Sequence, residues 1–232
     1  ARPRRGVRAA AGLDVVALGG GHGLAVTLQA LRHVTNDVTA VVTVADEPYD
    51  VHPDTRLDVY RPAGAETAHP TVVWTHGGAF VGGSKDEIGG YLAMLAGAGF
   101  TVVGVGYTRA PESRHPTPAR QVMRALQHIE TNADRLHVDP ASLVLAGDSA
   151  GAHISAQVAL CVTNPGYADR LGVQPTIAPH QLRGVALCCG VFDPGLFDSS
   201  SPLAPFVHAV WWAYSGARDH RHITPGRRRR RG

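Results

Sequence analysis

Two short runs of this chain carry residue types that can do acyl-transfer chemistry. Gly147-Asp148-Ser149-Ala150-Gly151 has the form G-x-S-x-G. An apolar run, Leu143 to Ala146, precedes it, and a helix-like segment through Val158 and Leu160 follows. A sharp strand-to-helix turn holds a serine in a strained backbone conformation and lifts its hydroxyl above the C-terminal edge of a sheet. Small flanking residues let neighbouring segments pass close. The second run is His76-Gly77-Gly78-Ala79-Phe80, at the end of an earlier strand. Attack on an acyl carbon develops an oxyanion, which needs N–H donors aimed at it. Gly77 and Gly78 can turn their amides toward one point, and the Ala150 amide, just after the serine, supplies another.

A serine hydroxyl at its ordinary pKa also needs a base, and the base an orienting acid. On a strand–turn–helix scaffold of this kind their order is Ser, then Asp or Glu, then His. Only 83 residues follow Ser149. Gly184 to Cys189 uses one strand and Pro202 to Tyr214 a helical segment. The remainder runs through Asp219-His220-Arg221-His222 into five arginines, with no apolar strand to seat an acid or a base. Asp219 with His220 or His222 has the right types and order but little to bury it. Asp193 and Asp198 read as turn residues. His153, one helical turn past Ser149, reads as packing, and His76 as support for the glycine loop. Activity through Ser149 is therefore expected to be severely impaired. The alternative is a catalytically silent fragment or binding module.

The elements that would position these groups follow from periodicity. Leu57 to Tyr60 alternates like a half-buried strand. Thr71–Trp74, Phe100–Val105, Leu143–Ala146 and Gly184–Cys189 are continuous apolar runs, as strands buried on both faces are. Helices are predicted near Ile88–Ala98 and over Pro118–Arg135, where Val122, Leu126 and Ile129 share a face. Strands and helices alternate from about residue 71 to 190, which argues an α/β fold with helices on both sides of a mostly parallel sheet. Neighbouring parallel strands should bring Ser149 and Gly77 to one sheet edge.

Residues 48–215 resemble the α/β-hydrolase superfamily, in its hormone-sensitive-lipase-like carboxylesterase branch. The resemblance rests on His76-Gly77-Gly78-Ala79-Phe80, Tyr107-Thr108-Arg109-Ala110-Pro111-Glu112, Val138-Asp139-Pro140 and Gly147-Asp148-Ser149-Ala150-Gly151-Ala152-His153. It implies a three-layer sandwich, here lacking its last strands, and a small-molecule carboxylic ester as substrate. It also implies Ser149 as nucleophile, with Gly77, Gly78 and Ala150 shaping the oxyanion hole. An open sheet edge offers a contact for a homo-oligomer.

The first 46 residues have a different style. Val15 to Leu18, Gly19-Gly20-Gly21-His22-Gly23, a helix-like Leu24–His33 and the strand-like Val38–Val44 make one βαβ-like unit. It resembles the start of the gluconeogenesis-factor and phospholactate-transferase family, where such a glycine loop would cradle a phosphate. The expectation here is an extension docked at one edge of the main sheet, without a live phosphate site. The chain thus divides into a basic tail (1–11), the extension (12–46), the main domain (47–216) and a second basic tail (217–232).

The charge agrees with this division. The net charge is +3, yet nine arginines lie in residues 1–11 and 227–232, leaving 13 basic against 19 acidic residues elsewhere. A folded body of net −6 lacks the basic stripe of a specific nucleic-acid binder. No apolar run is long enough to span a membrane. Cys161, Cys188 and Cys189 form no disulfide framework or metal spacing, which fits a reducing, cytoplasmic setting and predicts neither metal nor cofactor. Consecutive strand residues point to opposite faces, so Cys188 and Cys189 are expected to serve core packing.

Overall fold

The structure, a computed structural model, describes residues 15–18, 38–64, 67–193 and 197–217. Among them, seven strands form one sheet: β1 (Val15–Leu18), β2 (Val38–Pro48), β3 (Arg56–Pro62), β4 (His69–Thr75), β5 (Thr101–Val105), β6 (Val138–Asp148) and β7 (Leu182–Cys188). Their order in space is β1-β2-β3-β5-β4-β6-β7. The run β5-β4-β6-β7 is parallel throughout, while β3 is antiparallel to both of its neighbours. The expected α/β sheet is present, and β4 and β6, which end in the two motifs, lie side by side with Thr75 opposite Gly147.

Both faces of the central strands are covered, which is why their sequences are apolar without alternation. On β5, Val103 and Val105 join a core with Val122, Leu126 and Ile129, residues of helix α2 (Thr117–Thr131). Val102, the residue before Val103, faces the other way, toward Leu92 and Ala96 of helix α1 (Gly89–Gly97). Helix α2 was expected to reach Arg135. It stops at Thr131, and a single turn, α3 (Ala133–Leu136), completes the segment. Helix α4 (Ala150–Thr163) leaves the end of β6. Helix α5 (Pro165–Leu171) follows it, begun by the Asn164 side chain, which accepts from the Tyr167 amide. Helix α6 (Ala204–Ser215) closes the described chain.

Two expectations about burial are corrected. Leu57, Asp58, Val59 and Tyr60 are all buried rather than alternating, because both faces of β3 are covered: Leu57 and Val59 share a core with residues of α2, and Tyr60 with residues of α1. Asp58 is tolerated there by the Lys85 ammonium, 2.8 Å from its carboxylate. Conversely, Cys188 and Cys189 are both exposed, because among the described residues β7 is an edge strand paired with β6. At the other end of the sheet β1 pairs with β2, and β2 with β3. The boundary expected between residues 46 and 47 falls inside β2, which runs unbroken to Pro48. The glycine loop 19–23, the segment 24–33 and both arginine tails lie outside the described residues.

Strand β2 is tied to the helix layer by one carboxylate. Glu47 accepts from both Arg135 guanidinium nitrogens, at 2.8 and 2.7 Å, and lies 2.6 Å from His128 Nε2. Chiefly the Arg135 hydrogen bonds hold its carboxyl down at about 2. A carboxyl depressed in the folded state stabilises the fold above its ordinary pKa, and that contribution disappears as pH falls from about 4.5 through about 2. The group is well solvated, so about 1 kcal/mol is expected. In urea unfolding, Glu47→Gln should be less stable than the parent at pH 6 and equal to it near pH 2. A gap that does not close with acid would refute the pairing.

Candidate active site

Strand β6 ends at Asp148, helix α4 begins at Ala150, and Ser149 makes the turn between them with φ 49° and ψ −113°. That is left-handed space for a residue with a Cβ, and its strain is held from three sides. The Ser149 amide donates to the Cys188 carbonyl at 2.7 Å, its carbonyl accepts from the His153 amide at 3.2 Å, and Gly151 lets α4 press against the end of β4. Ser149 itself is exposed.

Beside it runs the loop that leaves β4. Asp148 accepts from the Gly77 amide and from the Trp74 indole, each at 3.1 Å. The Gly77 N–H is therefore occupied, which corrects the expectation that it helps form the oxyanion hole as a free donor. Gly78 follows at φ 108°, with the Gly82 backbone so close that a Cβ would lie 2.1 Å from its carbonyl oxygen. Ala79 and Phe80 continue the loop at φ 53° and 62°. Ala79 lines the same cavity as Ser149 and Ala150 and joins the candidate donors. Composition gave no hint of it, because the signal is backbone conformation.

The two nearby histidines are occupied otherwise. His76 is buried and stacked on Tyr107, with ring centroids 4.4 Å apart. Its Nδ1 lies 2.7 Å from the Gly77 carbonyl, so the ring braces the loop, as expected from sequence. Burial holds its pKa below the usual histidine range. His153 is wholly buried, with Nδ1 2.8 Å from the Val191 carbonyl. Its Nε2 is buried without a hydrogen-bond partner, and burial pushes the ring down to about 4. Among the described residues no imidazole hydrogen-bonds the Ser149 hydroxyl. Asp198 holds the Ser200 amide and hydroxyl in its own turn, as expected. Asp219, His220 and His222 lie outside the described residues.

Above Ser149 is a cavity of about 150 Å³. Ala79, Phe80 and Val191 wall it, and helix α6 lays Phe206, Val210 and Trp211 across it. Trp211 and Tyr214 hold α6 against Phe80, whose ring stacks on Tyr214 at 3.8 Å. A second cavity, of about 190 Å³, is lined by His76 and Tyr107. Its charges are matched among themselves: Arg56 with Asp46, Lys85 with Asp86, Arg109 with Asp54.

A strained serine at a strand–helix turn, beside a left-handed glycine loop on the adjacent parallel strand, agrees with comparison to known families. A family described as the alpha/beta hydrolase fold matches residues 72–222. The chain belongs to that family. Relatives named as carboxylesterases belong to the branch that its motifs resemble. Carboxylesterase NlhH of Mycobacterium tuberculosis is 38% identical over 112 residues, covering 48% of this chain and 35% of that protein. Kynurenine formamidase of Danio rerio is 30% identical over 167 residues, covering 72% of this chain and 52% of that protein. The solved structure of esterase B from Lactobacillus rhamnosis shares the fold, with TM-score 0.69 at 24% identity, over 76% of this chain and 57% of that one. The chain spans about half the length of the curated relatives it matches. Residues 15–51 also match a family described as 2-phospho-L-lactate transferase. Among the described residues no helix is long and apolar enough to cross a membrane.

Proposed function

We propose that this chain is a serine hydrolase of carboxylic esters, acting through Ser149. The observation that carries the proposal is Ser149 in its strained turn, open to an apolar cavity whose wall includes the Ala79 loop. The serine oxygen attacks the acyl carbon. The carbonyl oxygen gains charge and is met by the amides of Gly78, Ala79 and Ala150, reinforced by the positive end of helix α4. The alcohol leaves, and water then releases the acyl group from Ser149. A cavity of about 150 Å³ suits a group near the size of benzene, which favours small apolar esters.

The proton on Ser149 is the weak point. His76 and His153 are buried, each is bound to a backbone carbonyl through Nδ1, and neither hydrogen-bonds Ser149, so neither serves as base. With no base at Ser149 among the described residues, acyl transfer is slow, because losing a triad partner costs about 10⁴-fold or more while the oxyanion donors still act. The same observation favours a second reading, a silent hydrolase-like binding module.

Incubation with p-nitrophenyl acetate and peptide mass spectrometry separates them. The expected result is an acetyl group on Ser149, formed and released far more slowly than about 1 s⁻¹, and absent from Ser149→Ala. Absence of that adduct would leave the silent module standing. Turnover near about 1 s⁻¹ that vanishes in Ser149→Ala would instead overturn the expected impairment and make Asp219, His220 and His222 the next positions to substitute.

A further inference from the structure

Cys188 and Cys189 are adjacent and both exposed, at the end of β7, the edge strand among the described residues. Two neighbouring residues in extended conformation cannot act together. The positive ψ of the first and the negative φ of the second offset each other and throw their Cβ atoms to opposite faces. Cys188 is the last residue of β7 and extended, but Cys189 has φ 53°. There the two torsions add instead of cancelling. The second Cβ is thereby turned toward the side of the first, which gives both sulfurs side-chain rotamers on one side of the chain.

The pair is also held still. On one side the Cys188 carbonyl accepts from the Ser149 amide at 2.7 Å. On the other, Gly190 is wedged between Phe192 and Ala152, where a Cβ would lie 2.4 Å from the Phe192 ring. The next carbonyl, of Val191, is bound to His153 at 2.8 Å. Two thiols on one side of a pinned backbone are preorganised for an electrophile that takes two sulfurs at once.

We propose that Cys188 and Cys189 form a vicinal dithiol site that captures a trivalent arsenical. With phenylarsine oxide each sulfur forms one As–S bond. The two thiol protons leave with the oxide oxygen as one molecule of water, and arsenic remains trivalent. The second bond closes within the chain, so the pair holds arsenic far more tightly than one thiol does. The adduct sits at the strand end that anchors Ser149 and leads into the cavity wall at Val191. The proposal does not depend on turnover by Ser149.

The test is retention of phenylarsine oxide by the full chain in excess 2-mercaptoethanol, read by intact-mass spectrometry. The parent should keep one phenylarsenic group per chain and release it to 2,3-dimercaptopropanol. Cys188→Ser and Cys189→Ser should each bind at least about 100-fold more weakly. Cys161→Ser should behave as the parent, because Cys161 is buried. Thermal melts establish that each variant is folded. Iodoacetamide footprinting of the parent gives a result independent of any variant: the arsenical should protect Cys188 and Cys189 together. Retention by either edge variant equal to the parent, loss from the parent in monothiol alone, or protection of only one edge cysteine would overturn the proposal.

Discussion

Gly151→Ala is expected to lower the melting temperature by about 10 °C, the largest effect of any single methyl group at this site. Helix α4 leaves the serine turn so close to β4 that a Cβ on Gly151 would lie 2.0 Å from the Thr75 carbonyl oxygen and 2.6 Å from that of His76. Both obstacles are backbone. Neither can rotate away as a side chain would, and both belong to the strand end that launches the oxyanion loop. Either α4 moves off the sheet or β4 breaks its register with β6. A cost of about 4 kcal/mol places this among the severe substitutions. Gly90→Ala is the control, since a Cβ there meets nothing within 4 Å and a helical alanine is favoured over glycine by about 1 kcal/mol. Differential scanning calorimetry should show Gly151→Ala melting well below the parent and Gly90→Ala at or above it. If Gly151→Ala melts within about 2 °C of the parent, the close packing of α4 on β4 is not what holds the serine turn.

The second large effect is acid lability from His153. The imidazole is surrounded by Phe80, Trp211 and Tyr214, with ring centroids 5.6, 5.2 and 6.0 Å away. Its Nδ1–H is satisfied by Val191, and a proton added to Nε2 would find no acceptor. Burial holds the ring's pKa at about 4 against 6.5 in the unfolded chain. Below pH 6.5 the unfolded state therefore binds a proton that the folded state refuses. The stabilisation is complete above pH 6.5 and is lost as pH falls from there to about 4. Two and a half pH units correspond to about 3 kcal/mol. His153→Asn keeps an N–H donor for Val191 and has nothing to titrate. It should start less stable at pH 7.5 because a smaller side chain leaves a void. Its stability should then fall by about 3 kcal/mol less than the parent's between pH 7.5 and 4. Equal losses in urea unfolding would mean that His153 is not the group responsible. The side chain also joins Val191 to Phe80, two walls of the cavity over Ser149. Acid should therefore disturb the cavity before the core beneath α2.

Much of this was written locally in the chain. The apolar runs at Thr71–Trp74 and Leu143–Ala146 lack alternation because both of their faces are covered, and that cover is what an α/β sheet requires. Gly147-Asp148-Ser149-Ala150-Gly151 demands a tight strand-to-helix turn whatever surrounds it, so the serine and its setting were legible from residue types. The turn at Asp198 and the start of helix α2 were equally local, because each depends on groups a few residues apart.

What only the tertiary structure decided depends on which strand is whose neighbour. Leu57 to Tyr60 alternates in sequence, yet it is buried throughout, since helices from distant segments cover both faces of β3. Cys188 and Cys189 look like core residues and are exposed, since among the described residues β7 is an edge strand and Cys189 leaves it at positive φ. Gly77 looks like an oxyanion donor, but its amide is claimed by Asp148, a residue on a different strand that reaches it only because β4 and β6 pair in register. His153 looks like a spare histidine beside a nucleophile, and three aromatic rings from two distant segments make it neutral. Local sequence sets backbone conformation over a few residues, whereas solvent access, the partner of each amide and the charge of each imidazole are set by what the sheet brings alongside.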